Sequence, residues 1–434
     1  MSEKRKFPTV GLNFIGNISS VRIFGSEIAR LADEHDQAVA KEFVENLSKT
    51  FPELDIPPDS TVQIKIGPPP KVDTDTFADD KEPAKEIKIK SLEQGRVLLR
   101  TLRAFTKRAP VQGYLLRNGA LVTLTSFFES LVSDLVHLYY AKHPGALPAD
   151  ARGLTLAELR ALGSVEEAEQ FLIAKEAESV IRESANDQLL YFSKRPAVDL
   201  SPLKADQEAF FEIFQRRNLL VHNSGVVNRY YCEKVSSSLI EHFKATEGTR
   251  LSVSDDYLTA AIDTVFVCGL ILLQQCWRKW EKSDIEQVDD FLCDQLYDSL
   301  IESRFDLTER LSRYALHVPY NGELAERIAL INCAIALKEL NRKDEMEQIL
   351  SKKDWSACAT KFQLALCALR DDEEGFYKLL PKAIQSQEVS ESNLKEWPLL
   401  NNQRKGQRFA LALQKYFPME RSIEKLDQEE RLAS

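Results

Sequence analysis

The sequence predicts a mainly α-helical protein, in which an up-and-down helical bundle is followed by solenoid-like helix pairs and preceded by a small region containing a β-hairpin. Three observations predict this class. Apolar residues recur at helical spacing over long stretches between about residues 112 and 281. Paired amphipathic stretches with short breaks follow from about residue 284. Strict apolar–polar alternation is confined to 61–66 and 86–90. The predicted domains are 1–109, 110–283 and 284–434.

Composition describes an ordinary soluble protein. The chain has 434 residues, of which 44% are hydrophobic and 29% charged, so it is long enough for two or three domains. Its net charge of -10 argues against a protein that coats nucleic acid through a broad basic surface, although a local site stays open. The most apolar run, 264–273, is half a membrane span, and no apolar stretch follows the N-terminal charges. We therefore expect a cytoplasmic protein without membrane contact.

No metal or cofactor is predicted. The seven cysteines are scattered without a C-x2-C pair, so reduced core residues are the simplest interpretation. The six histidines form no cluster with metal-ligand spacing. The sequence contains no glycine-rich phosphate-binding motif, so it gives no support for a nucleotide-triphosphate motor or a dinucleotide-binding enzyme.

The N-terminal region is predicted to be mixed. Residues 7–23 combine glycine, asparagine and β-branched residues without a helical period, and 20–23 suggests a short strand. Residues 26–48 have the spacing of an amphipathic helix. The alternating runs at 61–66 and 86–90 predict the two strands of a long hairpin, with a proline-rich and acidic connection between them.

Four long helices are predicted for the bundle, at about 112–141, at 165–193, through a run that ends at Gly225, and at 253–281. Within the first, Glu129 and Asp134 are five residues apart and do not share a face, so they are not expected to act as paired carboxylates.

The third helix carries the residues that suggest chemistry. Since Gly225 is a typical helix C-cap, His222 falls in the last turn, where the helix dipole favours a cation. Asn218 lies four residues before His222 and shares its face. Arg217 points about 140° away, but its long side chain can reach the same pocket and bind a phosphate. Arginine, amide and histidine around one helix end suit RNA phosphodiester cleavage, and a structural cap is the alternative.

The pattern of Arg217, four residues and His222, with Asn218 directly after the arginine, resembles the R-x4-6-H signature of the HEPN superfamily (higher eukaryotes and prokaryotes nucleotide-binding domains). The resemblance covers about residues 110–283. It implies a bundle of four or five helices that forms a two-fold homodimer, with both signature helices facing one cleft.

The chain is therefore similar to the members that keep this signature, which are metal-independent endoribonucleases that act as toxins, abortive-infection factors or antiviral effectors. The resemblance therefore implies an RNA substrate, with His222 as general acid or base and Arg217 stabilising the phosphate. Asn218 is assigned to orient the site. Residues expected to contact the substrate are Arg216, Asn223 and Tyr231, the tyrosine by stacking on a base. For Tyr231 the alternative is packing against the bundle, and Asn223 can also cap the end of the helix. The alternative is a non-catalytic dimerisation or nucleotide-binding module that serves as a protein-interaction scaffold.

The C-terminal region resembles tetratricopeptide repeats. Alanine-rich segments beginning at Asn332 and Gln363 occupy similar places in units of about 31 residues. The expected helices are 291–311, 325–341, 344–350, 357–369, 374–384 and 403–417. This TPR-like region is expected to regulate the nuclease or to recruit a protein partner.

Overall fold

The computed structural model describes residues 5–50, 96–101, 103, 112–147 and 153–418. These residues form eighteen α-helices and no β-strand, which confirms the mainly α class. In the N-terminal part the helices are α1 (Phe7–Ile23), α2 (Ala29–Thr50), α3 (Gln112–Lys142), α4 (Leu156–Leu162), α5 (Val165–Ile181) and α6 (Ala185–Lys194). The next are α7 (Gln207–Asn223), α8 (Arg229–Lys234), α9 (Ser237–His242) and α10 (Asp255–Trp280). The expected hairpin strands, 61–66 and 86–90, lie outside the described residues.

The remaining helices are α11 (Ile285–Ile301), α12 (Phe305–Ala315), α13 (Glu323–Glu339), α14 (Lys343–Leu350), α15 (Thr360–Leu369), α16 (Glu373–Gln385), α17 (Glu391–Glu396) and α18 (Gln407–Tyr416). Backbone contacts divide the chain into two compact units. The first comprises Met1–Leu189 and Asp206–Gly269, and the second Leu190–Ala205 and Leu270–Ser434. The expected boundaries were 109 and 283. Helices α1 and α2 pack against α3 in the first unit, so this division has no boundary at 109, and its later division falls at 269, within α10.

The strand expected at 20–23 is wrong, since these residues complete helix α1. The side chains of Phe7, Phe14 and Val21 are buried and lie seven residues apart, which places them on one helical face. Glycine and β-branched residues have low intrinsic helix propensity, but burial of this face outweighs that preference.

A five-residue π-helix, Phe24–Ile28, joins α1 to α2. The buried residues of α2 again lie seven apart, at Ala29, Asp36 and Phe43. The step from Val21 to Ala29, however, is eight residues. The wider turn of the π-helix absorbs this extra residue, so both helices keep a continuous buried face.

Helix α3 is the centre of the first unit, where it packs against α1, α2, α5 and α7. Its Phe128 is fully buried, with ring centroids 4.7 Å from Phe210 and 5.8 Å from Phe214 in edge-on arrangements. Such aromatic pairs combine large apolar burial with a favoured geometry. They hold α7, the helix that carries the signature, against α3.

Within the same unit α10 approaches α1 closely through a glycine. A Cβ atom at Gly269 would overlap the ring of Phe14. The Phe14 ring also stacks against Phe266, with centroids 6.5 Å apart and an interplanar angle of 11°. The absence of a side chain at Gly269 therefore sets how near these two helices lie.

The second unit contains three consecutive helix pairs, α11–α12, α13–α14 and α15–α16. Each pair turns at a residue in the left-handed backbone region, Ser303 (φ 57°), Asn341 (φ 58°) and Asp371 (φ 59°). The single helix expected at 291–311 is therefore wrong, because the chain turns at Ser303 between α11 and α12. Helix α13 packs against both α11 and α15.

Two helices, α3 and α10, are long and apolar enough to cross a membrane by length and composition alone. Half of the most apolar window of α3 and 72% of that of α10 are buried within the protein. Core helices of soluble proteins meet the same criterion, so this is weak support for a membrane span.

Candidate functional site

Helix α7 forms because its apolar residues, Phe210, Ile213, Phe214 and Leu219, are buried along one side. The helix ends after Asn223, so His222 lies in its last turn as expected. The C-cap is Ser224 in the left-handed conformation, with φ 51°, and not the glycine itself. Gly225 also has positive φ, at 77°, and its N–H donates to the carbonyl of Leu219 at 2.9 Å. Two successive left-handed residues thus stop the helix directly behind the signature.

Asn223 secures this helix end. Its Nδ2 donates to the carbonyl oxygen of Val226 at 2.6 Å, which ties the last helical residue to the chain that follows. The backbone of Gly225 in turn accepts a hydrogen bond from the N–H of Leu251 at 2.9 Å. Asn223 is partly buried, and this hydrogen bond gives it a capping role. Its Oδ1 and its second N–H are not used in this cap, so the expected substrate contact stays a prediction.

Arg217 and Asn218 interact directly. Nη1 of Arg217 donates to Oδ1 of Asn218 at 3.1 Å, so the amide holds one end of the guanidinium. The Arg217 side chain is half-buried, and its Nε is buried without a hydrogen-bond partner in the described structure. Among the described residues Arg217 forms no ion pair. Nη2 of Arg217 also has no hydrogen-bond partner among the described residues and is not buried, so it is the donor that a phosphate can reach.

A carboxylate that sequence reasoning set aside lies near this arginine. Glu129 on α3 is half-buried, and burial raises its pKa while the positive charge of Arg217 opposes the rise. This electrostatic interaction shows that the carboxylate of Glu129, on α3, lies close to Arg217 of the signature helix. Its spacing from Asp134 gave no reason to select it, because the relevant partner lies on a different helix.

His222 is exposed at the end of α7. Its neighbour Val221 is 48% exposed, and Tyr230, just beyond the helix, is 56% exposed. Since His222 follows Arg217 by five residues, the two side chains leave the helix about 140° apart. One chain consequently presents the arginine in a half-buried setting and the histidine in an open one. These are different environments on one short length of helix.

Arg216 has a structural environment, which corrects its expected role in substrate binding. Its side chain is 3% exposed, and its Nε forms a 2.7 Å ion pair with Glu212. The guanidinium lies over two rings, 4.2 Å from the Phe243 centroid and 3.8 Å from that of Tyr257. A guanidinium enclosed in this way cannot reach a ligand at the helix end, so Arg216 contributes to packing.

Tyr231 is corrected for the same reason. Its side chain is 1% exposed, and its hydroxyl donates to Glu212 at 2.6 Å. Burial raises the pKa of Tyr231, and the carboxylate of Glu212 adds to the shift, so the hydroxyl stays a donor. Tyr231 also belongs to a buried cluster with Leu219, Val227 and Leu251 that closes the end of α7. A stacking contact with a base is therefore excluded, whereas the adjacent Tyr230 is open to solvent.

Glu212 is the residue that sequence reasoning missed in this network. Its two oxygens accept hydrogen bonds from Tyr231 and, at 2.7 Å, from Tyr257 on α10. The available signal was the four-residue spacing from Glu212 to Arg216, which places an acid and a base on one face. That spacing alone does not distinguish a buried pair from an exposed one.

Among the described residues no group of three or more His, Cys, Asp and Glu side chains could hold a metal ion. All seven cysteines lie in the described ranges and are free thiols, four of them buried. Comparison of the chain with protein-family models, curated proteins and solved structures gives no match. The functional assignment therefore depends on the signature residues and their surroundings.

Proposed function

We propose that this protein is a metal-independent endoribonuclease of the HEPN type, in which Arg217, Asn218 and His222 form the active site. The observation that carries the proposal is the half-buried Arg217 guanidinium, which Asn218 orients and which forms no ion pair among the described residues. An arginine held in this way costs little further ordering when it binds a phosphate. The exposed His222 at the same end of the helix is accessible for proton transfer.

In the proposed reaction the ribose 2'-hydroxyl attacks the adjacent phosphorus, and the 5'-oxygen of the next nucleotide leaves. His222 moves a proton as general base or general acid, and Arg217 stabilises the negative charge that develops on the phosphate. The products carry a 2',3'-cyclic phosphate and a 5'-hydroxyl. RNA specificity follows, since DNA lacks the nucleophilic hydroxyl.

The proposal includes a homodimer in which two signature helices share one cleft. Arg217 and His222 of one chain diverge by about 140°, so a phosphate held by one arginine is served most directly by the histidine of a second chain. The exposed Val221, beside His222, is an apolar side chain that a second copy would cover. A cytoplasmic toxin or antiviral effector, regulated through the C-terminal helix pairs, is the cellular role we propose.

The test is cleavage of a defined RNA by the purified protein in excess EDTA, with analysis of the product ends. Arg217→Ala and His222→Ala should each reduce the rate by at least 100-fold, a magnitude typical for a charge-stabilising or proton-transferring group. Two matched controls are available in the same unit, the exposed Arg229 on α8 and His242 at the end of α9. Arg229→Ala and His242→Ala should cleave at the wild-type rate.

Cleavage that survives in Arg217→Ala and His222→Ala would overturn this active site and favour the non-catalytic module. For the toxin role, bacterial growth under expression of the wild type should be slower than under expression of His222→Ala. Equal growth would count against an unregulated toxin.

A further inference from the structure

The second unit contains a groove of about 460 Å³ that the nuclease proposal does not use. Its floor is α13, with Ile328 and Ile331, and α13 packs between α11 and α15. One wall is α11, which contributes Asp290 and Asp294. The opposite wall is apolar and aromatic, formed by Phe362, Val389 and Trp397.

The two aspartates of the α11 wall are available to a ligand. Both are exposed, and among the described residues neither forms an ion pair or a side-chain hydrogen bond. The pKa of Asp294 is raised by partial burial and by the neighbouring charge of Asp290. These carboxylates repel one another without compensation, so a cation bound between them would relieve the repulsion.

Among the described residues that line this groove, Lys361 is the basic one, and its side chain lies against Phe362 of the aromatic wall. The Lys361 Nζ lies 5.3 Å from the Phe362 ring centroid, and the Lys361 backbone N–H donates to Glu388 at 2.8 Å. With Asp290, Asp294 and Glu388 opposing one lysine, the lining keeps a net negative charge. An anionic strand such as RNA is therefore a poor occupant.

We propose that this groove binds an extended peptide segment of a partner protein, in which arginine or lysine alternates with apolar residues. Asp290 and Asp294 are four residues apart on α11, which separates them by roughly 6 Å along the helix axis. Alternate side chains of an extended peptide are about 6.6 Å apart and point to one side. Two basic side chains at this spacing match the two aspartates, while the intervening apolar side chains face Phe362 and Trp397.

Peptide binding in this groove of the second unit does not require nuclease activity. The probe is a fluorescein-labelled peptide, Gly-Arg-Leu-Arg-Leu-Arg-Gly, titrated with the full chain and followed by fluorescence anisotropy at low salt. One control peptide has glutamate in place of arginine, and a second has serine in place of leucine.

The wild type should bind the probe and discriminate against each control peptide by at least tenfold. The double variant Asp290→Asn/Asp294→Asn should bind the probe at least tenfold more weakly. The control Asp306→Asn/Asp344→Asn replaces two exposed aspartates elsewhere in the unit, so it has the same net charge and should bind as the wild type does. A thermal melt of each variant confirms that it is folded.

Three results would overturn the proposal. The first is no binding of the probe by the wild type. The second is equal affinity of Asp290→Asn/Asp294→Asn and Asp306→Asn/Asp344→Asn for the probe. The third is equal affinity of the wild type for the probe and the serine peptide, which would indicate recognition of the basic side chains alone.

Discussion

Glu212 and Arg216 form a buried ion pair one turn apart on α7, with 2.7 Å between Oε1 and Nε and side-chain exposures of 2% and 3%. Each carboxylate oxygen of Glu212 accepts a hydrogen bond from a tyrosine hydroxyl, one from Tyr231 after the signature helix and the other from Tyr257 on α10. The pair thus fixes the rotation of α7 and the path of the chain that follows it. Arg217, the next residue, is directed away from this cluster by the helical period.

We expect Glu212→Gln to lower the free energy of unfolding by about 3 kcal/mol, because Arg216 would be left as a buried charge without its counterion. Urea denaturation followed by circular dichroism measures this change. Glu208→Gln, one turn earlier at an exposed position of the same helix, is the matched control and should change stability by less than about 0.5 kcal/mol. Similar effects of the two substitutions would contradict the assigned role of Glu212.

The two left-handed residues behind the signature should respond in opposite directions. Gly225→Ala should destabilise the protein by about 2 kcal/mol, since its Cβ would lie 2.9 Å from the carbonyl oxygen of Leu251 at φ 77°. Ser224→Gly should stabilise it by about 0.5 kcal/mol, because glycine adopts φ 51° without a steric penalty. Equilibrium unfolding of both variants tests this pair, and a stable Gly225→Ala protein would mean that the helix ends differently.

Removing the Glu129 charge should tighten RNA binding, because this carboxylate is coupled to Arg217 and competes with a phosphate for it. In a His222→Ala background, which prevents cleavage, we expect Glu129→Gln to lower the Kd for RNA roughly fivefold, or about 1 kcal/mol. Anisotropy with a labelled RNA measures the Kd, and Glu183→Gln, an exposed glutamate of the same unit, serves as control. Weaker binding after Glu129→Gln would instead assign Glu129 a role in orienting Arg217.

Three aspartates spaced four residues apart on α11 predict a pH dependence of stability; they are Asp290, Asp294 and Asp298. Partial burial raises the pKa of Asp294 and the pKa of Asp298 above the ordinary value of 3.8. The negative charge of Asp290 raises the pKa of Asp294 further, and the charge of Asp294 does the same for Asp298. The folded protein therefore binds these protons more tightly than the unfolded chain, so stability falls as pH rises above about 4. We expect Asp294→Asn to reduce the fall in unfolding free energy between pH 4 and 7 by a few tenths of a kcal/mol, since the side chain is exposed.

Urea denaturation at both pH values gives this difference for the wild type, Asp294→Asn and the control Asp306→Asn. An unchanged pH dependence in Asp294→Asn would show that solvent screens the aspartate completely.

The long helices were predictable because their periodicity is set by burial. Helices α3 and α10 begin and end within two residues of the expected positions, and His222 occupies the expected last turn of α7. The helix expected at 165–193 is instead divided into α5 and α6. The N-terminal helix was not predictable in the same way, because glycine and β-branched residues in α1 hide a buried stripe spaced seven residues apart. Its helical form depends on contacts with α3 and α10 that lie far away in the sequence.

The distinction between Arg216 and Arg217 also required the structure. In the sequence both are basic residues beside a histidine motif, and either could face a substrate. The aromatic rings that enclose Arg216 come from residues 243 and 257, and the carboxylate near Arg217 comes from α3. Pairings between distant segments decide which arginine is accessible, and local spacing carries no information about them.

The π-helix at Phe24–Ile28 has a consequence for how the length of this chain can vary. Deleting one of its residues would shorten the step from Val21 to the buried Ala29 from eight residues to seven, so α1 and α2 would join as one uninterrupted α-helix with both stripes preserved. The same deletion inside either helix would rotate the rest of that helix by about 100° and expose its apolar side chains. Single-residue insertions and deletions among homologous chains should therefore collect at this one position of the N-terminal helices.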